Sequence, residues 1–129
     1  MTDQLSVLVV DDQALFREIA NSMFEVTGEF KVIAEAEDGV DAIAAYKRNR
    51  PDLVLMDIQM ARMNGLDATR EILRMDPHAS VVLISMKADP EYSQIADEMG
   101  AIGFVAKRDL RPSSLKVMID KARSRANAA

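Results

Sequence analysis

"LVLMDIQMARMNG", residues 53–65, is the stretch that decides the fold. Leu53, Val54, Leu55 and Met56 form an unbroken apolar run, and Asp57 follows directly. A helix facing a core on one side would interrupt such a run with polar residues. A short strand covered on both faces would not. The reading is therefore a buried strand that ends in a carboxylate, followed by a loop and the amphipathic segment "GLDATREILRM" (65–75), with Leu66, Thr69, Ile72 and Leu73 inward.

The same unit recurs on either side. "LSVLVV" (5–10) precedes a helical segment in which Leu15, Ile19 and Met23 recur at helical spacing, with Phe16, Ala20 and Phe24 beside them. Gly28 suits a helix C-terminus. "FKVIAEA" (30–36) alternates, as an edge strand does, and leads into a helix with Val40, Ile43 and Ala44 on one face. "SVVLIS" (80–85) is followed by Asp89-Pro90, an N-cap and first-turn proline, and a helix carrying Tyr92, Ile95, Ala96 and Met99 that stops at Gly100. "IGFVA" (102–106) precedes a last helix from about Pro112, with Leu115, Met118, Ile119 and Ala122 inward. Short strands alternating with helices predict an α/β doubly wound parallel sheet of five βα units.

Composition sets the outer limits. The chain has 129 residues, 49% of them hydrophobic, which supplies one core and predicts a single domain over 1–129, with its core at about 5–122 and a tail or linker start at 123–129. A net charge of −5 argues against non-specific nucleic-acid binding, which depends on neutralising phosphates. There is no cysteine, so thiolate chemistry is excluded. "MTDQLSVLVVDD" has no basic leader, and no apolar run nears the ~20 residues of a membrane span. The expectation is a soluble cytoplasmic protein without membrane contact. His78 beside Pro77 reads as exposed, the basic residues Lys116, Lys121, Arg123 and Arg125 as a solvated helix face, and Met60, Met63 and Met86 as loop packing.

In doubly wound sheets, ligands bind outside the carboxyl ends of the strands. Just after the apolar runs stand Asp11 and Asp12, Asp57, Ser85 and Lys107. Two carboxylates ~4 Å apart repel by roughly 4 kcal/mol at an effective dielectric near 20. Three together require a proton, a paired lysine or a hard cation. An all-oxygen donor set beside an open cleft suits Mg²⁺, with Mn²⁺ as an alternative. Asp57 could then act as a nucleophile toward phosphorus, with Lys107 neutralising phosphoryl oxygens and Ser85 donating a hydrogen bond. Each residue also has a plainer reading: Asp11-Asp12 as a helix cap, Ser85 as a strand-end hydroxyl, Lys107 as a neutralising charge.

The set "VVDD", "MDIQMARMNG", "LIS" and "FVAK" resembles the receiver domain of two-component response regulators over essentially the whole chain. "GLDATREIL" and "GAIGFVAKRDL" are most similar to the NarL/LuxR type. The resemblance implies a flavodoxin-like sheet of strand order 2-1-3-4-5. It implies Asp57 as phospho-acceptor, and Asp12, Asp57 and the backbone carbonyl of Gln59 as direct Mg²⁺ ligands, with Asp11 acting through metal-bound water. It implies that Ser85 and Lys107 contact the phosphoryl group. Ser85 and Phe104 become switch residues, and Gln59 and Lys87 tune dephosphorylation. The implied partners are a histidine kinase or histidine phosphotransfer protein, an output domain or target protein on the surface of the fourth helix, fifth strand and fifth helix, and a second copy in a homodimer.

Three positions depart from the family pattern. Ala61 replaces the usual proline, Met86 follows Ser85 where a small residue is usual, and Arg108 follows Lys107 where proline is common. None removes a group the chemistry needs; Gln59 and Lys87, at the family positions that tune dephosphorylation, predict a phosphoryl lifetime unlike that of fast chemotaxis receivers, longer or shorter. The rival readings are a metal-dependent aspartyl-phosphate phosphatase, which needs an acid two residues after the nucleophile where Gln59 stands, and a protein-binding module not regulated by phosphorylation. A nucleotide-binding Rossmann domain is weaker, since "VVDDQALF" lacks a glycine-rich loop.

Overall fold

The computed structural model describes residues 4–128; residues 1–3 and 129 lie outside the described part. The elements are β1 Leu5–Val10, α1 Ala14–Thr27, β2 Phe30–Ala36, α2 Gly39–Asn49, β3 Leu53–Asp57, α3 Gly65–Met75, β4 Val81–Ser85, α4 Pro90–Met99, β5 Gly103–Ala106 and α5 Pro112–Ala128. A short 3₁₀ turn at Lys107–Asp109 joins β5 to α5. The five strands are parallel, in the order β2-β1-β3-β4-β5.

Strand alternation divides the core in two. Leu8, Val10, Val54, Met56, Val81 and Leu83 face one side, where Ala42, Tyr46, Ala68, Ile72 and Ala96 of α2, α3 and α4 cover them. Val7, Val9, Leu53, Leu55, Val82 and Ile84 face the other, against Ala20 and Phe24 of α1 and Leu115 and Ile119 of α5. All five residues of β3 and of β4 are buried, which is why those strands read as continuous apolar runs. The edge strand β2 alternates buried and exposed positions, as its sequence does.

Helix ends follow side-chain chemistry. Asp38, Asn64 and Asp89 cap α2, α3 and α4 by accepting from the backbone N–H groups of Asp41, Asp67 and Glu91. Gly28 and Gly100 close α1 and α4 in the left-handed conformation, at φ 72° and 93°. The segment 123–128 continues α5 as helix.

Apolar spacing leaves the inward face of two helices open, and packing selects it. On α1, Leu15 and Ile19 are 68% and 48% exposed, and the buried face runs through Ala20 and Phe24. The segment carries two apolar stripes, and the sheet takes the one with the aromatic, which buries more surface. On α2, Val40 and Ala44 are exposed and Ala42, Ala45 and Tyr46 are buried. Tyr46 is held there because its hydroxyl donates to Asp76 at 2.7 Å. Met60 and Met63 pack against the core, but Met86 is 72% exposed and belongs to neither core cluster.

Candidate functional site

Asp57 is the last residue of β3, and pairing with β4 fixes it in register with Ile84. The next peptide is fixed too, since the Ile58 N–H donates to the Ile84 carbonyl at 2.9 Å. Asp11 follows β1 and is anchored three ways. Its N–H donates to the Ala36 carbonyl at 3.0 Å, its carbonyl accepts from Arg17 at 2.7 Å, and its Oδ1 accepts the Gln13 N–H at 2.9 Å. Parallel pairing of β1 with β3 therefore brings Asp11 and Asp57 to one rim. Carboxylate oxygens of Asp11, Asp12 and Asp57 all lie within 4.8 Å of one another.

Lys107 reaches across from the end of β5. Its Nζ lies 2.6 Å from Asp11 Oδ2 and 3.5 Å from Asp57 Oδ2. The ammonium also sits 4.6 Å from the centre of the Phe16 ring, a cation–π contact that supports it from below. One ammonium faces three acids, so the rim keeps a negative excess.

Burial and that excess both act on the acidity of Asp57. Burial first, and the Asp11 carboxylate second, push the Asp57 carboxyl up to about 6. Lys107 and the Gln59 N–H, which donates to Asp57 Oδ1 at 3.4 Å, offset only part of this. Asp11 Oδ2 is buried, and its partner is the Lys107 ammonium at 2.6 Å. Three carboxylates within 4.8 Å of one another that share a single ammonium are a donor set that a hard cation satisfies. The residues present therefore fit Mg²⁺, with oxygen donors from Asp11, Asp12 and Asp57.

The remaining residues singled out in the sequence distribute around this centre. Ser85, fully buried, ends β4 on the neighbouring strand, and its Oγ accepts the Lys87 N–H at 3.1 Å. Gln59 and Lys87 are exposed on the loops that follow β3 and β4. Phe104 is half-buried; its ring packs against Tyr92 of α4 at 5.3 Å between centroids. His78 is exposed at the far end of the sheet. Asp11 and Asp12 are not the side-chain cap of α1: the N-cap residue is Gln13, which makes no side-chain cap bond.

Three further contributors escape a reading of strand ends. Phe16 and Arg17 lie in the first turn of α1, under Lys107 and against the Asp11 carbonyl. Their signal is an aromatic-basic pair a turn after the acidic pair. Gly65 opens α3 so close to Asp57 that a Cβ there would stand 2.0 Å from the Asp57 carbonyl oxygen. A cavity of about 920 Å³ lies at the opposite end of the sheet between the loops before β3 to β5 and α5, and it contains none of the rim groups.

A doubly wound sheet whose switch-point rim carries clustered acids and a bridging lysine defines an α/β domain of the receiver class. The chain belongs to the response regulator receiver domain family, whose sequence model matches residues 7–120. It is 33% identical to the transcriptional regulatory protein DegU of Brevibacillus brevis over 81% of this chain and 44% of that protein. It is 36% identical to the chemotaxis protein CheY of Thermotoga maritima over 89% of this chain and 94% of that one. The receiver domain of the response regulator NarL from Mycobacterium tuberculosis superposes with a TM-score of 0.82 at 31% identity, covering 94% of this chain and 98% of that one. The chain thus spans under half the length of DegU and nearly all of CheY. Among the described residues no helix is long and apolar enough to cross a membrane.

Proposed function

We propose that this receiver domain is a phosphorylation switch with Asp57 as the acceptor. The observation that carries the reading is the placement of the Asp57 carboxylate within 4.8 Å of Asp11 and Asp12 oxygens and 3.5 Å from Lys107. A carboxylate oxygen of Asp57 attacks phosphorus, and the bond from phosphorus to the donor nitrogen of a phosphohistidine breaks. The imidazole leaves with that electron pair and is neutral when its other nitrogen is protonated. Bound Mg²⁺, or Mn²⁺, supplies charge neutralisation at the phosphoryl oxygens. Lys107 supplies a second positive charge, and Ser85 a hydroxyl, to the same group.

The donor is a histidine kinase or histidine phosphotransfer protein. The added charge draws Ser85 and the loop after β4 toward Asp57, and Phe104 then leaves its packing against Tyr92. The surface of α4, β5 and α5 carries the result to an output domain, a target protein or a second copy of the chain. Gln59 in place of an acid supports a switch over a turnover phosphatase, and Gln59 and Lys87 set how long the phosphoryl group persists. The working compartment is the cytoplasm.

The test is incubation with acetyl phosphate, with and without Mg²⁺, followed by intact mass. The expected result is a single phosphoryl adduct that requires Mg²⁺ and is absent from Asp57→Asn. An unchanged mass in the wild-type chain would leave the protein-binding module as the better reading.

A further inference from the structure

The loop between Asp57 and α3 is fastened to α2 in a way the phosphorylation chemistry does not itself demand. Arg62 adopts φ 63°, in the left-handed region, although it is not glycine. Its Nε lies 2.7 Å from Asp38 Oδ2 and its Nη2 3.2 Å from Asp41 Oδ1. The next residue continues the seam, as the Met63 carbonyl accepts the Gly39 N–H at 3.0 Å. Gly39 is required for this approach, because a Cβ there would meet Met63 at 2.7 Å. At its far end the loop closes on itself, the Gly65 N–H donating to the Ile58 carbonyl at 2.9 Å. A residue whose backbone keeps a disfavoured conformation while two carboxylates hold its side chain is over-determined by its surroundings, as functionally constrained positions are.

We infer that Arg62 is a positioning residue, clamping the 58–64 loop to the N-terminus of α2 so that the site of Asp57 and Gln59 is set for cation binding. Ala61 leaves this loop without the fixed φ of a proline, and the clamp supplies rigidity from the next residue. The Arg62 side chain is 58% exposed, so its ion pairs add little to global stability. Asp38, by contrast, is 8% exposed and caps α2, which makes it a firm anchor. The consequence falls on the loop, and through it on the Gln59 N–H that bonds Asp57. The inference rests on the rim being a cation site, as in the proposed function.

Calorimetric titration of the whole chain with MgCl₂ tests it. Arg62→Ala and Arg62→Gly should each weaken Mg²⁺ affinity roughly 10-fold, the scale on which groups supporting metal ligands act. Arg62→Lys should recover part of the loss. Asp38→Asn keeps the helix cap and weakens the clamp, so adding it to Arg62→Ala should cost little more than Arg62→Ala alone. Urea midpoints in EDTA should barely move for the Arg62 variants, which separates positioning from folding. Unchanged Mg²⁺ affinity in Arg62→Ala overturns the inference. So does tighter binding in Arg62→Gly, which would make the backbone strain, and not the clamp, the controlling feature. Phosphoryl uptake is read separately, so a wild-type chain that binds Mg²⁺ but gains no phosphoryl mass counts against phosphorylation alone.

Discussion

Lys107 stands nearer to Asp11 than to the proposed acceptor, 2.6 Å against 3.5 Å, with its side chain 7% exposed. Without a phosphoryl group the lysine is thus engaged mainly as the partner of a fully buried acid. Removing one member of a buried pair leaves an uncompensated charge, at a cost of about 3–5 kcal/mol. Lys107→Ala should therefore lower stability in EDTA by about 3 kcal/mol at pH 8, and by less at pH 5, where Asp57 takes a proton. Urea unfolding at the two pH values checks this; an equal loss at both would show that the rim does not depend on the lysine's charge.

The acidity of Asp57 gives a signed pH dependence. Its carboxyl is raised from 3.8 to about 6, so between those values the folded chain binds more protons than the unfolded one. Stability contributed by the protonated form is full below about 3.8 and is lost as pH rises through about 6. At 1.36 kcal/mol per unit, the loss is on the order of 2–3 kcal/mol. Asp57→Asn should abolish that slope and be the more stable protein at pH 8 in EDTA. Mg²⁺ at ten times its dissociation constant should return about 1.4 kcal/mol to the wild type. A wild-type chain whose urea midpoint rises steadily from pH 4 to pH 8 without metal would contradict the burial argument.

Gly65 is fixed by contact with the backbone of Asp57. A Cβ would stand 2.0 Å from the Asp57 carbonyl oxygen and 2.8 Å from its carbon, neither of which is the end of a flexible side chain. Gly65→Ala should cost about 2–3 kcal/mol through forced displacement of β3 from α3, and should slow phosphoryl uptake as Asp57 shifts. Thermal unfolding and acetyl phosphate kinetics measure the two effects, and a variant with wild-type values of both would refute the close approach.

The two tyrosines sit at opposite ends of the sheet and serve as separate reporters. Tyr92 packs on Phe104 at 5.3 Å, while Tyr46 donates to Asp76 at 2.7 Å, far from the rim. In chain labelled with fluorotyrosine, phosphorylation should shift the Tyr92 fluorine resonance and leave that of Tyr46 in place. Equal shifts at both would indicate a general loosening, and no shift at Tyr92 would remove Phe104 from the switch.

The sequence carried the sheet well because β3 and β4 are buried on both faces, and burial on both faces is written directly as unbroken apolar residues. Asp11, Asp57, Ser85 and Lys107 were legible for the same reason, since each stands where such a run stops. Helix orientation was less legible. In α1 either Leu15-Ile19 or Ala20-Phe24 could face inward, and only packing against the sheet and α5 selects the second. Phe16 and Arg62 were hidden because their partners are distant in the chain. Arg62 meets Asp38 over 24 positions, and Phe16 of α1 meets Lys107 after β5, separations that no local pattern encodes.

The central claim is that phosphoryl transfer ends on Asp57. Borohydride reduces the acyl phosphate of an aspartate to homoserine, so treatment of the acetyl phosphate product followed by peptide mass analysis locates the acceptor. Transfer to Asp57 gives homoserine at position 57 in Mg²⁺ and none there in EDTA. Homoserine at position 11 or 12, or at neither those positions nor 57, would contradict it.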